Sequence, residues 1–69
     1  MIELDCRGQR CPLPVITLAR TIRQVEIGET VRVLADDPAA ANDIPAWCRM
    51  TGQEYVRGGN DEYDVRRVS

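Results

Sequence analysis

Four prolines set where this chain can begin a helix. Two of them, Pro12 and Pro14, follow directly on Cys11 with only Leu13 between them. A proline at the first helical position loses nothing, because that N–H has no partner inside the helix. It also pushes the residue before it out of the helical region, as a cap requires. The spacing therefore predicts a helix starting at Pro12, with Cys11 at its cap and Pro14 still in the first turn. Pro38 behind Asp37 marks a second start by the same rule. Pro45 would be costly in a helix interior. A first turn from Pro38 to Asn42 is therefore expected, with the main helix restarting at Asp43 as cap. That helix runs to about Met50, and Gly52 closes it.

Apolar residues support this division. Ile2 and Leu4 alternate in a short first strand that runs to Asp5. Val15, Leu18, Ala19, Ile22 and Val25 recur at helical spacing, and Gly28 reads as the stop. Thr30 to Ala35 is a strand with Val31 and Val33 on one face. Ile44, Trp47, Cys48 and Thr51 share the predicted buried side of the second helix. The last residues read as two strands joined by a turn at Gly58 to Asp61.

The order is β-α-β-α-β-β, an α/β arrangement within one domain over residues 1–69. A helix between the first two strands implies a parallel crossover. Both helices then cover one face of a four-stranded sheet, a two-layer sandwich. The other face stays open, and Glu3, Arg32, Arg57 and Arg66 make it polar.

Composition narrows the chemistry. A chain of 69 residues buries only roughly 60% of its unfolded surface, so a deep pocket with its own walls is not expected. The net charge is −2, which predicts neither a nucleic-acid partner nor a membrane surface. No apolar run approaches the roughly 18 residues of a membrane span. There is no histidine, which removes the Cys–His nucleophile pair and the commonest metal ligand. Cys6, Cys11 and Cys48 lack the paired spacing of a zinc site, so neither metal nor cofactor is expected. An odd number of cysteines behind a strand-like opening suggests reduced thiols and a cytoplasmic location.

Cys11 is the candidate reactive residue. The positive end of a helix favours thiolate over thiol, and Arg7 and Arg10 lie close in sequence. The Asp36–Asp37 turn belongs to the same rim, because both strand-to-helix turns leave one end of a parallel pair. Asp37 reads as a structural cap and Cys48 as a small buried residue. Cys6 reads either as packing or as a second thiol near Cys11; sequence leaves both open.

These residues also resemble a known family. Leu4, Asp5, Arg7, Gly8, Cys11, Pro12 and Pro14 spell Leu-Asp-x-Arg-Gly-x-x-Cys-Pro-x-Pro. With Ala35 to Pro38 and Asp43 to Pro45, the pattern is similar to that of TusA/SirA-like sulfur carriers over essentially the whole chain. The resemblance implies a mixed sheet of order 1-2-4-3 with the last strand antiparallel. It implies that the cysteine matching Cys11 accepts a sulfane sulfur as a persulfide and hands it on. Arg7, Gly8, Arg10, Pro12 and Pro14 would support that site. Implied donors are cysteine desulfurases or rhodanese-like proteins. Implied destinations are tRNA thiolation, molybdenum-cofactor maturation or sulfur metabolism. Cys6 departs from the family pattern, where a small residue such as alanine is usual.

Sulfur carriage by a monomer that meets its partners transiently is the leading expectation. A Cys6/Cys11 dithiol redox module is the alternative, and a non-catalytic interaction or RNA-binding domain is the third.

Overall fold

The computed structural model describes residues 1–69. Its elements follow the expected order: β1 (Ile2–Asp5), α1 (Leu13–Ile22), β2 (Thr30–Leu34), α2 (Ala40–Thr51), β3 (Glu54–Gly59) and β4 (Glu62–Arg66). The strands form one sheet of order β1-β2-β4-β3. β1 and β2 are parallel, with Ile2 opposite Val31 and Leu4 opposite Val33. β4 runs antiparallel to both β2 and β3. Asn60 and Asp61, both in the left-handed region, make the two-residue turn between β3 and β4, as tight hairpins of this twist require.

Side-chain alternation along the strands divides the sheet into two faces. Val31 and Val33 on β2, opposite Val65 and Tyr63 on β4, pack with Leu18 and Ile22 of α1 and Ile44 and Cys48 of α2 in one core. Cys6, Val25, Ala35 and Ala40 complete it. The opposite face is polar, as the sequence predicts. There Arg32 donates to both carboxylate oxygens of Asp64 at 2.8 and 3.1 Å, and Arg57 reaches the same carboxylate at 3.4 Å. Arg66 pairs with Glu54 at 2.9 Å. Asp64 is only 4% exposed, and a carboxylate that covered needs such partners. The two arginines lower its pKa, Arg32 more strongly.

Helix boundaries depart from the expectation in three places. α1 starts at Leu13 with Pro12 as its cap residue, so Cys11 lies one residue outside the cap. The Cys11–Pro12 peptide bond is cis. α1 also ends at Ile22, short of Gly28. The far end of the chain packs against the segment that follows. The Arg67 guanidinium donates to the carbonyl of Val25 at 2.7 Å and to that of Arg23 at 3.4 Å. The Gly28 N–H meets the Arg67 carbonyl at 2.7 Å. Carbonyls after the last turn of α1 are thereby satisfied without further helix.

α2, by contrast, is continuous through Pro45. Pro45 cannot donate to the carbonyl of Ala41, and Ala41 is exposed, where water takes the missing N–H's place. The predicted restart at Asp43 does not occur. Thr51 is exposed rather than buried, its hydroxyl donating to the Trp47 carbonyl at 2.8 Å.

Candidate functional site around Cys11

The chain from Cys6 to Pro12 crosses from the sheet to the start of α1. Cys6, one residue past β1, is still tied to β2, its N–H donating to the Leu34 carbonyl at 2.7 Å. Gly8 has φ +83° with open space where a Cβ would stand, so its backbone conformation, not crowding, calls for glycine. From there on, the turn before α2 holds the loop. Gly8 N–H donates to Asp36 Oδ1 at 2.9 Å. Cys11 N–H donates to Asp37 Oδ2 at 2.6 Å. The other oxygen of Asp37 accepts from Ala39 N–H at 3.1 Å, the turn that opens α2. One carboxylate thus ties the Cys11 loop to the second helix. These N–H groups hold Asp37 below the usual carboxylate range, Cys11's contribution being the larger and Arg10's charge adding to it.

Gly8, Gln9 and Arg10 meet Asp36, Asp37 and Pro38 around one polar hollow, the shared rim expected from the sequence. Arg7 is differently engaged. Its guanidinium donates through two nitrogens to the two oxygens of Asp5, both at 2.8 Å. The pair lowers the Asp5 pKa to about 2. Arg7 therefore supports the loop's entry rather than facing the sulfur.

The three thiols are all free and differ in exposure: Cys6 and Cys48 are buried, Cys11 exposed. Burial pushes the Cys6 thiol up and the Cys48 thiol up to about 11. Cys6 is 1% exposed and packs within the core.

The electrostatics at Cys11 reverse the expectation. Its pKa is raised, not lowered. The foremost cause is the Asp43 carboxylate, placed to accept the thiol hydrogen although the two do not meet in a well-oriented hydrogen bond. Partial desolvation follows, then the charges of Asp43 and Asp37. Cys11 also stands one residue outside the cap of α1. Pro12 and Pro14 offer no N–H, and that of Leu13 donates to the Arg10 carbonyl at 2.8 Å.

Beside the sulfur lies a second, apolar depression formed by Cys11, Pro12 and Val15 with Asp43, Ala46, Trp47 and Met50 of α2. The α2 residues follow i, i+3, i+4, i+7 spacing, one helix face. Sequence reasoning missed this wall: Trp47 packs against the core as expected and lines the depression as well, while Asp43 is not the expected cap. The same spacing contained the signal.

The chain is thus a small two-layer protein with an exposed thiol at the entry to a helix, anchored by a neighbouring turn and edged by apolar surface. Comparison with known proteins agrees. The family model described as Sulfurtransferase TusA matches residues 2–66, and the chain belongs to that family. A protein of Archaeoglobus fulgidus described as a candidate sulfur carrier is 42% identical over 62 residues, covering 90% of this chain and 85% of that one. The crystal structure of a SirA-like protein from Desulfitobacterium hafniense superposes with a TM-score of 0.72 at 31% identity. It covers 94% of this chain and 92% of its own.

Proposed function

We propose that this protein is a sulfur carrier and that Cys11 is the atom-bearing residue. The observation that carries the reading is the contrast among the three cysteines: Cys11 alone is exposed. In the transfer, Cys11 Sγ bonds to the terminal sulfur of a donor persulfide. The donor's S–S bond breaks, and the proton lost by Cys11 ends on the donor thiol. No net oxidation or reduction occurs, and handing the sulfur on repeats the exchange in the other direction. Gly8, Pro12 and Pro14 set the loop and helix start, Arg7 braces the loop through Asp5, and Arg10 works on the acidic rim.

Donors of the required kind are cysteine desulfurases and rhodanese-like proteins in their persulfide form. Acceptors are proteins of tRNA thiolation, molybdenum-cofactor maturation or sulfur metabolism. The free thiols suit a reducing cytoplasm. The dithiol alternative loses support, because Cys6 is enclosed in the core.

The test is intact mass after incubation with a persulfide-loaded cysteine desulfurase. A reductant-reversible gain of one sulfur, about 32 Da, is expected in the wild type and absent in Cys11→Ser. Equal loading of Cys11→Ser overturns the assignment. A loss of two hydrogens that requires Cys6 moves it to the redox module.

A further inference from the structure

Asp43 has no task in the scheme above, yet it lies at its centre. It stands in the first turn of α2, half-buried, in the wall of the depression that also holds Cys11. The rest of that wall is apolar, and Met50 within it is 81% exposed. The other acids of this rim are occupied. Asp37 holds the N–H groups of Cys11 and Ala39, and Asp36 holds that of Gly8. Asp43 belongs to none of the chain's ion pairs. Arg10, the cation next to Cys11 in sequence, acts on Asp37.

An unpaired carboxylate set in apolar surface bears a desolvation cost that an arriving cation offsets. It also repels an acidic surface brought to the same place. Resting on the reading of Cys11 as the reacting thiol, we infer that Asp43 selects the partner: it receives an Arg or Lys side chain that the partner protein presents beside its own reacting sulfur. The apolar neighbours Trp47 and Met50 fit that role, since aromatic, methionine and arginine side chains are the ones enriched at interface centres.

Small disulfides test this without any protein partner. Cystamine carries a positive charge at each end, and dithiodiglycolate a negative one. In each exchange Cys11 Sγ bonds to one probe sulfur, the probe's S–S bond breaks, and the proton from Cys11 ends on the released thiol. Intact mass follows both rates for wild type, Asp43→Asn and Asp43→Glu. Their ratio cancels the thiolate fraction of Cys11, so a change in acidity alone does not move it. The wild type is expected to favour cystamine, less so as salt is raised. The ratio falls several-fold in Asp43→Asn and recovers in Asp43→Glu. An equal ratio in wild type and Asp43→Asn overturns the inference. Sulfur loading plays no part in the measurement. A chain that shows the charge preference but never loads sulfur therefore refutes the carrier reading alone, and one that loads without the preference refutes Asp43's role alone.

Discussion

Asp37 Oδ2 accepts the backbone N–H of Cys11 at 2.6 Å, while Oδ1 of the same carboxylate accepts that of Ala39 at 3.1 Å. Two helix entries that lie 26 residues apart in sequence share one acceptor. The place of the thiol therefore depends on the start of α2 as much as on its own prolines.

Replacing that acceptor is expected to loosen both. Asp37→Ala leaves two N–H groups to water, for about 1–2 kcal/mol of stability. Chemical denaturation measures the loss, and amide hydrogen exchange at Cys11 should quicken in the folded protein. An unchanged midpoint with unchanged exchange would show that the loop holds itself.

Only Cys11 should react with an alkylating reagent in the folded chain, because Cys6 is 1% and Cys48 2% exposed. All three cysteines should label in denaturant. The acidic neighbours raise the Cys11 pKa, so its rate should still be climbing above pH 8.5, about the ordinary thiol value. A plateau reached near neutrality would mean that the helix and arginines outweigh the carboxylates. Labelling of Cys6 at a matching rate would reopen the dithiol reading.

Acid should destabilise the protein through Asp64. Its pKa is lowered, first by the hydrogen bonds from Arg32. A depressed carboxylate contributes its full stabilisation above the unfolded value, about pH 4, and loses it as the pH falls through the folded value. Unfolding monitored from pH 6 downward, about two units above that value, should therefore steepen below it. Asp64→Asn should be less stable at neutral pH by about 1.5–3 kcal/mol and have a shallower acid limb. A parallel curve for the variant would remove Asp64 as the source.

Arg67→Ala should cost about 1–2 kcal/mol, since the carbonyls of Arg23 and Val25 lose a charged donor. Exchange at the Gly28 amide, bonded to the Arg67 carbonyl, should stay slow, because that bond uses the backbone alone. Loss of protection there as well would mean that the whole C-terminal segment has detached.

Much of the fold could be read from local chemistry. Alternation in Val31 and Val33, periodicity in Leu18 and Ile22, and a turn within Gly58 to Asp61 need only nearest neighbours along the chain, although β3 runs on through Gly59 and narrows that turn to Asn60 and Asp61. The exposed thiol at the entry of α1 follows from the same local rules, because prolines constrain the residues next to them. What tertiary structure decided concerns groups distant in sequence. The segment after α1 is held by Arg67, whose guanidinium arrives only when β4 is in place. Continuity of α2 through Pro45 depends on which carbonyl the packing leaves in water. The acidity of Cys11 depends on Asp43 and Asp37, carried to the sulfur by another helix. Electrostatic energy follows distance through space rather than separation along the chain. So the sequence by itself determined that a thiol would stand near the start of α1 and what elements would surround it. Only the packing of α2 against the Cys11 loop decided which charges that thiol meets.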